Sequence, residues 1–213
     1  AHRCGGDWKD GSGMLDASPS ASIARELKLP PRARIEFDRG WLGLRSLAVA
    51  LYTDSLQPIL MAGKDEGPQF GGFYSLQLNT GYVNLLRVKK KEALNAIGQM
   101  TTSPWSQKNQ VHVTILASKD QNLVVLLADG QLVREWRDDA GFAGEGTGLR
   151  IVHQGLGVVN LKNIKISEWD GRFLESPGGA PPDQREDFAR LMNGDRVNGH
   201  PEELGRAARG ERV

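Results

Sequence analysis

The stretch VHVTILASKDQNLVVLLADGQLVREWRD, residues 111–138, decides the fold. It contains three short runs of aliphatic and β-branched residues, separated by two turns. The second turn is Asp129-Gly130, a pair that favours a tight two-residue hairpin because glycine adopts positive φ without steric cost. The middle run, 122–128, is apolar on both faces, which is typical of a strand inside a sheet. The stretch therefore predicts three consecutive antiparallel strands.

Alternation of apolar and polar residues continues on both sides of this stretch. Residues 34–38, for example, place Ile35 and Phe37 on one face and the charged residues on the other. About eleven short strands are predicted between Ala21 and Trp169, with a turn every 8–14 residues or so. Residues 90–100 fit either a two-turn helix or a bulged strand. The pattern predicts an all-β, antiparallel sandwich or barrel.

The composition changes after Phe173. Residues 174–184, LESPGGAPPDQ, form a Pro/Gly linker. The remaining appendage, 185–213, fits either a helix over 185–192 or a β-hairpin through Asn193-Gly194. So short a segment has little core of its own, so we expect 183–213 to dock on the sandwich or to mediate self-association.

Bulk properties restrict the class of partner. The net charge is +1, which argues against electrostatic capture of nucleic acid. No apolar run of about 18 residues is present, so membrane insertion is not expected. Cys4 is the single cysteine, so no internal disulfide can form, and no Cys/His spacing resembles a zinc site. The start at Ala1 fits a processed protein or a piece of a larger one.

Two long segments carry a family resemblance: IARELKLPPRARIEFDRGW, residues 23–41, and GTGLRIVHQGLGVVNLKNIKISEWDGRF, residues 146–173. Together with the Asp129-Gly130 hairpin and the tryptophan after it, they resemble the concanavalin A-like lectin/glucanase superfamily, in particular laminin-G-like domains of bacterial surface or periplasmic proteins. Bacterial 3-keto-disaccharide hydrolase domains share that architecture. The resemblance covers residues 8–173 and implies a two-sheet jelly roll of twelve or more strands. It implies no activity, because this superfamily includes lectins, glycosidases and spacers.

A catalytic hypothesis rests on Glu36 and Asp38. Two carboxyl groups are needed for glycoside hydrolysis, and residues i and i+2 of a strand share a face about 7 Å apart. The glucanase branch has a third carboxylate three residues later, where this sequence has Trp41. Arg34 and Arg39 are candidate ion-pair partners that would keep both carboxyl groups ionised, the wrong state for a general acid.

Sugar binding commonly uses an aromatic ring together with polar groups. Trp136 and Trp169 occur in strand-like runs and are interpreted as sheet-packing residues. Aromatic residues in loops are better placed for a ligand. The ligand-contact candidates are Trp105, Trp41, Asn109, Tyr52 and Tyr74. His112 lies on the polar side of its strand and could face a groove.

No cofactor is expected. The weak exception is Ca²⁺, which takes six to eight oxygen ligands and would find Asp138, Asp139 and Glu145 in one loop. The leading interpretation is a non-catalytic, carbohydrate- or partner-binding module of a larger bacterial protein, located in the periplasm or at the cell surface. The alternatives are a glycosidase-like or keto-sugar hydrolase and a structural oligomerisation domain.

Overall fold

All regular secondary structure in the described residues is β. The computed structural model describes residues 2–4, 8–11, 13–42, 46–56, 71–101, 105, 108–172, 187–190 and 196–199. Among them, no helix is long and apolar enough to cross a membrane. The chain divides into two units, Ala1–Phe173 and Leu174–Val213. The predicted linker, 174–184, lies outside the described residues, as does most of 183–213.

The first unit contains two seven-stranded antiparallel sheets. Sheet A has the spatial order β1 (His2–Cys4), β4 (Ser22–Glu26), β13 (Gly148–His153), β6 (Ser46–Thr53), β7 (Gly72–Asn79), β8 (Val83–Lys89) and β9 (Asn95–Met100). Sheet B has the order β12 (Gln131–Arg137), β11 (Leu123–Ala128), β10 (Gln110–Ser118), β5 (Arg32–Leu42), β14 (Val158–Glu168), β3 (Met14–Ala17) and β2 (Trp8–Gly11). The predicted all-β, two-sheet antiparallel fold is confirmed.

The hairpins form where turn residues predicted them. Asp129 and Gly130 both have positive φ, 50° and 78°, and join β11 to β12 with Ala128 opposite Gln131. Positive φ at both central residues matches the right-handed twist of the flanking strands. The segment 90–100, left open between helix and strand, contains β9, which pairs with β8 through a β-bulge at Leu85/Leu86.

A continuous apolar core lies between the two sheets. Strand β5 contributes Ile35 and Phe37, and β6 contributes Leu47, Val49 and Leu51, all with 0% exposure. Side chains alternate along a strand, so the opposite face of β5 carries Arg34, Glu36 and Asp38. This alternation presents a row of charged groups on the outer face of sheet B.

Strict alternation would place Trp136 on the face of Leu132 and Trp169 on the face of Leu161, but two bulges change both. The sequence places Trp136 on the same face as Leu132, but a register shift at Leu126/Leu127 leaves Trp136 in the core and Leu132 exposed. A second shift separates Leu161 in the core from Trp169, which packs on Leu116, Leu123 and Val125. Since those partners alternate with core residues, Trp169 covers the outer face of sheet B.

The second unit contains an antiparallel strand pair. β15 (Asp187–Arg190) and β16 (Arg196–Gly199) align Phe188 with Asn198 and Ala189 with Val197. The described residues form the strand pair that the β-hairpin alternative predicts, whereas its turn, Asn193-Gly194, lies outside the described residues.

Candidate functional site

The candidate site lies at the centre of sheet B, on its outer face. Strands β5 and β10 are neighbours there, and their register sets Asp38 opposite His112 and Glu36 opposite Thr114. Cross-strand neighbours and diagonal positions are close enough for long side chains to interact. The register therefore brings His112 within reach of both carboxylates of β5.

His112 connects the two carboxylates. Its Nδ1 is 2.7 Å from Oδ1 of Asp38, and its Nε2 is 3.5 Å from Oε1 of Glu36. The Nη2 of Arg34 donates to the same Glu36 oxygen at 2.8 Å. The amide Nδ2 of Asn163 donates to Oδ2 of Asp38 at 2.6 Å. We call these five residues, Arg34, Glu36, Asp38, His112 and Asn163, the His112 cluster.

Two irregular backbone positions hold the cluster in place. Asn163 has a φ of 54° and lies within the β14 bulge, which turns its amide towards Asp38. At the Asp129-Gly130 turn, Oδ1 of Asp129 accepts the backbone N–H of His112 at 2.9 Å, while the Asp129 N–H donates to the His112 carbonyl. The hairpin turn that helps to define the fold therefore also fixes the position of His112.

Electrostatics keep the cluster charged. The hydrogen bond from Arg34 lowers the pKa of Glu36, and His112 adds to this effect. Hydrogen bonds with His112 and Asn163 lower the pKa of Asp38. In return, Asp38 first and Glu36 second raise the pKa of His112. Both carboxylates are therefore acceptors at neutral pH, and His112 becomes a cation more readily than a free histidine.

The cluster is open to solvent. The side chain of His112 is 41% exposed, and those of Glu36 and Asp38 are 20% and 21% exposed. Hydrogen-bond donors and acceptors from the adjacent strands β10, β5 and β14 therefore face solvent, and their contacts with one another fix their positions. Neither carboxyl group can serve as the general acid that hydrolysis with two carboxyl groups needs, because that role requires a raised pKa and the pKa values of both are lowered.

The predicted aromatic contact residues lie in the interior. Trp105 has 0% exposure, and its Nε1 donates to the carbonyl of Asn79 at 3.1 Å. Trp41 follows the core-facing alternation of β5 and lies 5.0 Å from the guanidinium of Arg39. Arg39, on this same face, donates to the Leu78 carbonyl of sheet A, so it is not placed to pair with Asp38. Packing between the sheets accounts for both tryptophans.

The two tyrosines are also buried, whereas Asn109 is exposed. The hydroxyl of Tyr52 donates to the carbonyl of Pro30 at 2.8 Å, and that of Tyr74 donates to Asp138 at 2.7 Å. Burial raises the pKa of both hydroxyls. Asn109 precedes β10, and its carbonyl accepts the N–H of Trp41. Of the five predicted ligand contacts, Asn109 has an exposed position.

The three carboxylates predicted as calcium ligands, those of Asp138, Asp139 and Glu145, do not form a metal site. Both oxygens of Asp138 lie 2.7 Å from Nη1 of Arg87, and one of them also accepts from Tyr74. Asp139 and Glu145 are exposed. Within the described residues, no group of three or more His, Cys, Asp or Glu side chains could hold a metal ion. The chemistry of the Asp138 site is that of a buried ion pair.

Comparison with known proteins identifies the fold and no closer relationship. No family model and no curated protein matches the sequence. The carbohydrate recognition domain of Emp46p superposes with a TM-score of 0.55 at 14% identity, over 79% of this chain and 88% of that one. A Bacillus subtilis protein of unknown function with a galectin-like fold also gives 0.55 at 14% identity, over 77% and 86%. The fold is a galectin-like β-sandwich.

The residues that sequence reasoning did not assign to a site are His112 and Asn163. His112 had one signal, its position on the polar side of a strand whose other side is apolar. Asn163 had none, because its orientation depends on a bulge that no turn residue marks. Glu36 and Asp38 share a face as predicted, and the structure joins them through His112.

Proposed function

We propose that this chain is a non-catalytic carbohydrate-binding module whose site is the His112 cluster. The observation that carries the proposal is the exposed contact of His112 with Asp38 and Glu36, which spans β5 and β10 on the open face of sheet B. Sugar hydroxyls each donate and accept hydrogen bonds, so a sugar-binding surface needs both kinds of group in fixed positions.

Each cluster residue has a matching role towards a sugar. Asp38 and Glu36 remain ionised because their pKa values are lowered, so they accept hydrogen bonds from adjacent hydroxyls. Arg34 and Asn163 donate to hydroxyl oxygens, and His112 donates or accepts according to its protonation. Recognition of this type needs no activated group. The absence of a carboxyl group with a raised pKa in the cluster favours binding over glycoside hydrolysis.

The fold and the resemblance give further support. One of the similar structures is described as a carbohydrate recognition domain. Membership of the concanavalin A-like superfamily, as a laminin-G-like module of a larger bacterial protein, is part of the proposal. A periplasmic or cell-surface location, where glycans are available for binding, is also part of the proposal.

The test is a glycan array with the wild-type chain, Asp38→Asn and His112→Ala. We expect wild-type binding to a defined set of glycans and a loss of affinity of about tenfold or more in each variant, since hydrogen bonds to charged groups are involved. Glu135→Gln is the matched control, because Glu135 is an exposed carboxylate paired with Arg137 on the edge strand β12. A wild-type chain that binds no glycan, or an Asp38→Asn variant that binds as wild type does, contradicts the proposal.

A further inference from the structure

A groove lies between the two sheets, lined by residues other than those of the His112 cluster. It is a groove of about 290 Å³ at the side where β4 and β13 of sheet A face β14 of sheet B. In the described part of the chain, six aliphatic side chains line it: Ile23, Leu27, Leu149, Ile151, Ile164 and Ile166. Ligand sites are typically apolar clefts of roughly 300 Å³ or more with few polar groups. The groove is at the lower end of that range, which suits a small ligand.

The groove is open because the neighbouring strands are short. β3 pairs with β14 only up to Lys162, so in the described part of the chain residues 163–168 have no strand partner on that side. β1 likewise pairs with β4 only over Ser22–Ala24. The inward-facing residues beyond these pairings stay accessible. Ile164 is 37% exposed, although aliphatic residues on the inner face of a sandwich are normally covered.

Among the described residues that line the groove, Arg25 is the one with a charged side chain. It shares a face with Ile23, because residues two apart on a strand point the same way. Among the described residues, none holds its guanidinium in a hydrogen bond or an ion pair. The adjacent carboxylate, Glu26, points to the other face of β4 and accepts from the hydroxyl of Thr147. Within the described residues, the rim of the groove therefore carries a positive charge without a paired carboxylate, beside an apolar surface.

We propose that this groove binds a small aliphatic carboxylate. The hydrocarbon chain lies on the isoleucine and leucine side chains, and the carboxylate pairs with Arg25. Arginine suits this role because its planar donors match the two oxygens of a carboxylate. This proposal uses none of the residues of the His112 cluster, so either proposal can fail without the other.

The experiment uses the full chain with ¹³C-labelled isoleucine methyl groups, titrated with octanoate and followed by NMR. We expect saturable shifts at Ile23, Ile151, Ile164 and Ile166, and none at Ile97 and Ile115, which lie on other strands. Affinity should rise from butanoate to octanoate by up to about fourfold per added methylene. Absence of saturable shifts at the four groove residues, or equal shifts at all six, overturns the proposal.

The role of Arg25 is tested separately. Arg25→Gln should weaken octanoate binding about fivefold, as expected for loss of an exposed ion pair. Because 1-octanol has no carboxylate, it should bind the wild type as weakly as octanoate binds Arg25→Gln. Arg137→Gln is the matched control, because Arg137 is an exposed arginine on β12, at the opposite edge of sheet B. If Arg25→Gln binds octanoate as wild type does, carboxylate recognition by Arg25 is wrong.

Discussion

Asp138 and Glu36 are both carboxylates paired with an arginine, at 2.7 Å and 2.8 Å, yet their surroundings differ. The side chains of Asp138 and Arg87 are only 5% and 8% exposed, and Tyr74 donates to the same carboxylate. The side chains of Glu36 and Arg34 are 20% and 46% exposed, on an open sheet face. The first pair is enclosed by the protein, whereas the second is reachable by a ligand.

The Asp138 network and the His112 cluster also differ in the parts of the chain that they connect. Arg87 also donates to the carbonyl of Ala140, and the Ala143 N–H donates to the hydroxyl of Tyr74. The ring of Phe142 packs edge-on against Tyr52 and Tyr74, at 5.2 Å and 4.9 Å. The Asp138 network therefore fastens the loop after β12 onto β7 and β8. The side chains of the His112 cluster instead connect neighbouring strands on the outer face of sheet B, where His112 is 41% exposed.

The largest effect is expected at Asp138. Asp138→Ala leaves the Arg87 guanidinium buried without its counter-charge, which typically costs about 3–5 kcal/mol. The measurement is the free energy of unfolding in urea. Asp139→Ala is the control, since this neighbouring residue is exposed and should change stability by no more than about 0.5 kcal/mol. Equal stability of Asp138→Ala and the control would show that the buried pair does not hold the loop.

A smaller effect is expected at Tyr74. Tyr74→Phe keeps the ring against Phe142 but removes the donor to Asp138 and the acceptor for the Ala143 N–H. Loss of partners for buried polar groups should cost about 1–3 kcal/mol. Tyr52→Phe loses a single hydrogen bond, to the Pro30 carbonyl, and serves as the comparison in the same urea experiment. If Tyr52→Phe is the more destabilised variant, Tyr74 is not part of the fastening network.

The strands and hairpins could be predicted because they depend on local features. Alternation between apolar and polar residues and the Asp129-Gly130 pair were sufficient for β10, β11 and β12. The facing of Trp136 and Trp169 could not be predicted, because a single bulge inverts the alternation for every later residue of a strand. The contact between His112 and Asp38 joins residues 74 positions apart in the chain and depends on the pairing of their strands, which no local pattern specifies.

The prediction that aromatic residues in loops contact a ligand was the weakest one about the site. A tryptophan in a turn-rich segment was expected to face a ligand, but Trp105 is buried, with its N–H satisfied by Asn79. A large ring contributes more to stability when its apolar surface leaves water and its N–H finds an acceptor. The polarity of the surrounding segment therefore does not predict whether a tryptophan ring faces solvent or the core.

The smallest effect is expected at His112, and it depends on pH. Because its folded-state pKa is raised, His112 adds stability that is fully present below its unfolded pKa, about 6.5, and is lost as pH rises through the folded value. The pKa of Asp38 is lowered, so its contribution is present above its unfolded pKa, about 3.9, and is lost in stronger acid. The two contributions coincide in mildly acidic solution.

His112→Gln should therefore be less stable than wild type near pH 5.5 and equal to it near pH 9, as measured by urea unfolding. The difference should stay below about 1 kcal/mol, because the pair is partly exposed and screened by solvent. Asp38→Asn removes the main partner and leaves Glu36, so the effect of His112→Gln measured in that background should depend less on pH. A pH-dependent difference of undiminished size in that background would mean that Asp38 is not the main group that raises the pKa of His112. The contact between His112 and Asp38 would then not be what holds the cluster in the arrangement proposed to bind a sugar.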